Sequence, residues 1–273
     1  MNYQLGLIGH PLGHSLSPKI HSAALNACGL PGTYSLFPIH PEDKQGLKDL
    51  LARVRAGEIH GLNVTIPHKQ NVIELMDELT PTAKAIGAVN TIYMRENKLV
   101  GDNTDAPGFL VDLKRVSNSS FIIPHSALVL GAGGSARAVV YALCNDGWNV
   151  TLAARRIEQA QQLSQSFGKY DLRLSTFDFQ PSTFDLIVNT TPLGMTPNTE
   201  TSPLPEDATL SKHTFIYDLV YNPRETKLVR DARAQRLNAS TGLGMLIEQA
   251  ALAFEKWTDY NPPRETLYQA VEP

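Results

Sequence analysis

The residues best suited to chemistry fall in a few short segments. In Asn63-Val64-Thr65-Ile66-Pro67-His68-Lys69, polar groups follow an apolar run. That is the C-terminal end of an expected strand, where open α/β sheets bind ligands. Lys69 then falls near the start of the next expected helix, where the macrodipole disfavours an idle cation. With Asp105, in Asp102-Asn103-Thr104-Asp105, it could form a proton-transfer pair. Asn90 ends Gly87-Ala88-Val89-Asn90, and Asn90 or Asp105 alone could equally be a turn former.

Ser15 and Ser17 lie in Gly13-His14-Ser15-Leu16-Ser17-Pro18. A hydrolase nucleophile elbow would need glycine where Ser17 stands. Ser17 reads as a helix N-cap with Pro18 in the first turn, leaving Ser15 unneeded for the cap. Two hydroxyls converging on a carboxylate or polyhydroxylated ligand remain compatible with that role. Gln249 lies beside the apolar face Leu246, Ala250, Ala253, Phe254 and Trp257 of a helix after Gly242-Leu243-Gly244-Met245. A buried amide there needs partners, either backbone groups or a hydroxylated ligand.

A different chemistry is signalled by Gly131-Ala132-Gly133-Gly134-Ser135-Ala136, set between the apolar run Ala127–Leu130 and an Ala-rich helix. This G-x-G-x-x-A, in a strand–turn–helix context, fits a dinucleotide pyrophosphate at a helix N-terminus. The next expected strand, 148–153, ends in Ala154-Arg155-Arg156. An NAD site would place a carboxylate there for the ribose; two guanidiniums suit the 2′-phosphate of NADP. Metals are not expected: His10, His14 and His21 have no aligned spacing and no completing Cys or carboxylate. The calcium-loop look of Asn103 to Gly108 fails at Pro107 and Lys114.

These groups need an α/β frame. Strands are expected at 3–8, 34–39 and 61–66, helices at 19–28, 47–55 and 72–79, and a hairpin at 90–94 with 99–101. Ser117 to Ser120 with Pro124 reads as a linker before a new α/β unit at Ala127. The 273 residues suggest about two domains. A net charge of −3 argues against nucleic-acid binding. Two cysteines, Cys28 and Cys144, make no disulfide framework and fit a reducing, cytoplasmic setting. No apolar run approaches the ~20 residues of a membrane span, and Met1 to His10 lacks the pattern of a signal peptide.

Taken in order, Ser15-Leu16-Ser17-Pro18, Asn63 to Lys69, Gly87 to Thr91, Asp102 to Asp105, Gly131 to Gly134, Asn189-Thr190-Thr191-Pro192 and Gly242 to Met245 resemble the shikimate dehydrogenase family from Leu7 to about Trp257. The resemblance implies two α/β domains around a cleft, the second a Rossmann-type doubly wound parallel sheet. The expected division is 1–105 for substrate and catalysis, joined by the C-terminal helix 243–273, and 106–242 for NADP. It implies NADP-linked interconversion of 3-dehydroshikimate and shikimate, toward chorismate and the aromatic amino acids, in a monomer or homodimer.

Carried over by motif, Lys69 and Asp105 would be catalytic and would also touch substrate, together with Ser15, Ser17, Thr65, Asn90, Tyr221 and Gln249. Gly131, Ala132, Gly133, Gly134, Ser135, Ala154, Arg155, Arg156, Ile157, Glu158, Gln159, Leu219 and Gly242 would line the cofactor. The family's usual Asn-Arg-Thr is Ala154-Arg155-Arg156 here, so Arg156 stands in for a lost amide and hydroxyl. Related quinate/shikimate dehydrogenases, which use NAD or NADP, share the Ser and Lys motifs. A sensor binding NADP or shikimate without turnover would not need the Lys69–Asp105 pair.

Overall fold

The computed structural model describes residues 1–117, 125–168, 170–176, 179–206 and 208–272. Apart from Ser117, the expected linker lies outside them. The chain divides into two compact units, Met1–Thr104 with Ile247–Pro273, and Asp105–Leu246.

The first unit is built on β1 (Tyr3–Gly9), α1 (Ser17–Ala27), β2 (Gly32–Pro38), α2 (Lys44–Arg55), β3 (Gly61–Val64), β4 (Glu78–Leu79), α3 (Pro81–Ile86), β5 (Thr91–Arg95) and β6 (Lys98–Asp102). Its sheet runs β2-β1-β3-β5-β6-β4. β1 pairs in parallel with β2 and β3, and β5 and β6 form the expected antiparallel hairpin. Glu96 and Asn97 make its turn with φ of 51° and 62°, a left-handed pair that the twist of a tight hairpin favours. α2 starts where Asp43 accepts the Gly46 N–H at 2.8 Å. It buries Leu47, Leu50, Leu51 and Val54 against Ile8, Leu62 and Ile92 of the sheet. Burial of each such side chain contributes about 1.5–3 kcal/mol.

The expected helix over 72–79 does not form. Its apolar residues Val72, Ile73, Leu75, Met76 and Leu79 do pack on the core, but through a turn, a 3₁₀ segment at Ile73–Leu75 and the short β4. Asp77 decides this: its N–H reaches Leu99 O at 2.9 Å and its carboxylate takes the Leu99 N–H at 2.7 Å. Those bonds draw residues 77–80 alongside β6, an alternative to helix that a short acceptor side chain makes available.

In the second unit, residues 105–116, where no element is expected from the sequence, form α4 (Asp105–Val116). Then come β7 (Ser126–Leu130), α5 (Gly134–Asn145), β8 (Asn149–Ala153), α6 (Ile157–Ser166), β9 (Arg173–Ser175), β10 (Leu186–Asn189), β11 (Phe215–Asp218), α7 (Lys227–Ala234) and β12 (Ala239–Thr241). All strands are parallel in the order β12-β11-β10-β7-β8-β9, which is the doubly wound Rossmann arrangement with its switch point between β7 and β10. The β7 run Ala127 to Leu130 is fully buried, as a central parallel strand covered on both faces must be.

α8 (Leu243–Thr258) carries the chain back to the first unit, and α9 (Arg264–Gln269) follows. Ile247, Ala250, Ala251, Phe254 and Trp257 of α8 are buried. Gly61 provides the seat for Trp257: a Cβ there would lie 2.3 Å from the indole, whose N–H donates to Ile92 O at 3.1 Å.

Candidate active site

In the first unit the expected site residues gather at the C-terminal ends of the parallel strands. β3 ends at Val64, so Thr65 starts a turn, its N–H on Ile8 O at 2.8 Å. His68 is buried beneath that turn with Nε2 2.7 Å from Ile39 O, which makes this nitrogen the donor. Lys69 follows in the same turn, and its carbonyl accepts the Val89 N–H at 2.8 Å, next to Asn90. Lys69 therefore does not stand at an α-helix N-terminus and no helix macrodipole acts on it, contrary to expectation; what fixes its main chain is the bond to Val89.

Asn90 is a hub. Its Nδ2 donates to Thr104 Oγ1 at 3.0 Å and to Gln249 Oε1 at 3.2 Å, and its Oδ1 accepts the Thr104 N–H at 2.7 Å. The partner that Gln249 requires is thus the Asn90 amide. Asn90 is also tied to β3, since its carbonyl receives Asn63 Nδ2 at 3.3 Å. Asn63 Oδ1 in turn accepts the Tyr34 hydroxyl at 2.8 Å. Burial pushes the Tyr34 phenol well above its ordinary pKa, opposed by a hydrogen bond from Ser17. Tyr34, Asn63 and Thr104 are members that residue-type reasoning did not single out. For Tyr34 and Asn63 the signal was a polar group inside an expected strand, whereas Thr104 sits in the wholly polar run Asp102 to Asp105 and has no such signal.

The two serines divide the work opposite to expectation. α1 begins with Ser17 itself, Leu16 occupies the cap position without a side-chain bond, and Ser15 Oγ accepts the Ser17 N–H at 3.2 Å. Pro18 in the first turn has no N–H to satisfy, so a serine two residues before the helix can serve as its anchor. On the inner face of α1, His21 is fully buried, stacked on Tyr34 at 4.3 Å and 5.2 Å from Trp257. Neither ring nitrogen closes a hydrogen bond of ordinary geometry among the described residues. Burial lowers its pKa to about 3, opposed by the facing Asn63.

In the second unit Asp105 opens α4 directly after Thr104, and it is buried. The turn after β7 has the features a dinucleotide needs. Gly131 has φ 113°, and a Cβ there would sit 2.7 Å from Thr190 Oγ1, so only glycine fits. Ala132 and Gly133 complete the turn, and Gly134 and Ser135 open α5, presenting main-chain N–H groups that no side chain caps. At the β8 end Ala154 is buried, whereas Arg155 and Arg156 are exposed and have no ion pair among the described residues. Ile157, Glu158 and Gln159 form the first turn of α6. Gly242 lies against the Leu219 main chain, 2.2 Å from where a Cβ would fall. Tyr221 is partly buried, which raises its phenol pKa. Among the described residues no group of three or more His, Cys, Asp or Glu side chains could hold a metal.

Residues 7–92 match the model of the shikimate dehydrogenase substrate binding domain, and residues 242–272 that of the shikimate 5'-dehydrogenase C-terminal domain. A shikimate dehydrogenase (NADP(+)) of Shouchella clausii is 39% identical over 99% of this chain and 98% of its own length. The chain belongs to the shikimate dehydrogenase family. The corresponding protein of Salinibacter ruber is 42% identical over 97% of this chain and 95% of its own. Among solved structures, the shikimate 5-dehydrogenase of Thermus thermophilus in complex with NADP(H) and shikimate superposes with a TM-score of 0.87 at 37% identity, covering 98% of each chain. A quinate dehydrogenase of Corynebacterium glutamicum in complex with NAD gives 0.88 at 31% identity, again covering 98% of each chain. The fold is thus common to shikimate dehydrogenases and at least one quinate dehydrogenase. Side chains, and not architecture, must separate the family's activities.

Proposed function

We propose that this protein is an NADP-dependent oxidoreductase that interconverts 3-dehydroshikimate and shikimate. What carries the reading is the end-to-end similarity to relatives named shikimate dehydrogenase (NADP(+)), together with the family's polar residues on the expected strand ends. The nicotinamide, when bound, supplies or accepts the hydride.

The chain's own groups bind, orient and move one proton. In the reducing direction a protonated Lys69 donates to the oxygen that gains charge, and in the oxidising direction a neutral lysine takes the proton back. Asp105 supplies the carboxylate partner of that exchange. Ser15, Ser17, Thr65, Asn90, Tyr221 and Gln249 hold the substrate's carboxylate and hydroxyls, with neutral hydrogen bonds each contributing about 0.5–1.5 kcal/mol net. Gly131 to Ser135 receive the pyrophosphate, Leu219 and Gly242 the nicotinamide end, and the segment Ala154 to Gln159 the adenosine end. There Arg155 and Arg156 meet the 2′-phosphate. On this assignment the first unit is the substrate-binding domain and the second the NADP-binding domain. The enzyme acts in the cytoplasm as a monomer or homodimer, and light scattering after gel filtration reports which.

The test is the reduced-nicotinamide absorbance on mixing protein with shikimate and NADP, repeated with quinate and with NAD. Turnover of shikimate with NADP, well above the other three combinations, is expected. Faster turnover of quinate would assign a quinate dehydrogenase, and binding of NADP without absorbance change would assign a sensor.

A further inference from the structure

The sheet of the second unit carries a buried carboxylate that the proton chemistry leaves unused. Asp218, the last residue of β11, has no exposed surface. Its Oδ1 accepts Asn189 Nδ2 at 2.8 Å and the Val220 N–H at 3.0 Å, and its Oδ2 accepts the Thr226 hydroxyl at 2.6 Å. The groups facing it from β10, from the segment after β11 and from the α7 cap are therefore all neutral donors. A carboxylate satisfies the three at once, whereas a side chain with a hydrogen of its own would turn a donor against one of them.

Each of these donors is also the fixed point of a loop. Asn189 Oδ1 takes the Thr191 N–H at 2.9 Å and its hydroxyl at 2.7 Å, which closes the turn at the end of β10. Thr190, inside that turn, donates its hydroxyl to Leu130 O at 2.7 Å and forms the wall against Gly131. Val220 follows Leu219, whose main chain forms the wall against Gly242. Thr226 caps α7 by accepting the Val229 N–H at 3.3 Å. One carboxylate thus fixes both the turn beside Gly131 and the segment beside Gly242.

We propose that Asp218 is a positioning residue for the cofactor. As a carboxylate it holds the Asn189–Thr191 turn and the Leu219–Tyr221 segment at the spacing that lets Gly131 and Gly242 receive the dinucleotide. This rests on the reading that those two glycines line NADP. Burial raises the Asp218 carboxyl to about 6, opposed by its three hydrogen bonds, so mild acid is the condition that removes the charge.

The experiment is NADPH titration by nicotinamide fluorescence, with initial rates, on wild type and Asp218→Asn, folding checked by circular dichroism. Asp218→Asn is expected to weaken NADPH binding about tenfold at neutral pH, the scale of one bond to a charged group. Its KM for 3-dehydroshikimate should rise far less, because of the substrate-binding residues only Tyr221 adjoins the segment that Asp218 holds, a split that a general loss of packing would not produce. Wild-type affinity should fall on acidification through about 6. Part of that fall belongs to the ligand's own phosphate, and Asp218→Asn should retain only that part. A folded Asp218→Asn with wild-type NADPH affinity and pH dependence overturns the proposal. If Asp218→Asn does not fold, Asn189→Ala must show the same selective loss, and wild-type binding by that variant overturns it equally. A wild type that neither binds NADPH nor reduces 3-dehydroshikimate fails at the dehydrogenase reading, a result distinct from either.

Discussion

At the scale of single residues, the roles divide between proton transfer and binding. Lys69→Ala should lower kcat by about 10²- to 10⁴-fold, the range of a positioned general acid or base. Asp105→Asn should lower it too, and the double variant should fall well short of the sum. Steady-state kinetics on the folded variants decides this, and an intact kcat in Lys69→Ala would make the lysine a substrate anchor only. Ser15→Ala has a double consequence because Ser15 Oγ also holds the Ser17 N–H. It should raise the KM for shikimate and cost about 0.5–2 kcal/mol of stability, as loss of a cap does. A KM effect with no change in urea midpoint would show that the anchor is dispensable. Arg155→Ala should weaken NADP roughly 10- to 100-fold while sparing NAD. Equal losses for both cofactors would remove the 2′-phosphate assignment.

At the scale of elements, the first βαβ of the Rossmann half is legible, because an apolar strand run and a glycine turn leave few alternatives, whereas its later strands and helices are implied only by the family resemblance. α4 is not legible: the polar run Asn103 to Gly108 has the look of an ion loop, and that masks the helix that starts at Asp105. The segment 72–79 misled for the opposite reason, since its apolar spacing is helical while the main chain of Asp77 pairs with Leu99. Periodicity records which side chains face the core and is silent about a competing main-chain partner. The same silence hid Asn63 and Thr104, whose importance lies in tertiary bonds to Asn90. Gly61 was equally unreadable. It is glycine because Trp257 of a helix nearly two hundred positions on occupies its Cβ position. Gly61→Ala should therefore cost roughly 1–3 kcal/mol as overpacking, measured by urea unfolding. A neutral result would mean that α8 shifts freely on β3.

At the scale of the whole molecule, two buried groups give stability opposite dependences on pH. His21 titrates at about 3 in the folded chain against 6.5 when unfolded, so between those values the unfolded chain binds the extra proton. Its contribution is complete above 6.5 and is lost as pH falls toward 3. Asp218 runs the other way: folded at about 6 against 3.8 unfolded, it binds the extra proton when folded, and its contribution rises as pH falls through that window. The two Trp residues lie one in each unit, Trp148 in the second and Trp257 in the first. With Trp148→Phe as background, Trp257 fluorescence reports the unit that holds His21. There His21→Phe, which keeps the stacking on Tyr34, should flatten the acid loss of urea midpoint between about pH 6 and 4. An unchanged slope would assign acid sensitivity to other groups.

The first unit is assembled from both ends of the chain, with the second inserted between Thr104 and Ile247. On a ribosome that order has a cost. The second unit is complete and able to fold while the first still lacks Gln249, Phe254 and Trp257. Until these are made, β3 and β5 expose the apolar seat of α8, and a nascent chain presents that surface for the whole time the inserted unit is being translated. Chains stalled with residue 246 clear of the ribosome, on a linker appended after it, should therefore show a protease-resistant second unit and a protease-sensitive first one, with resistance in both appearing only when the last helix has emerged. Equal resistance of both units in the stalled chain would mean that the first unit reaches its fold without its final helix.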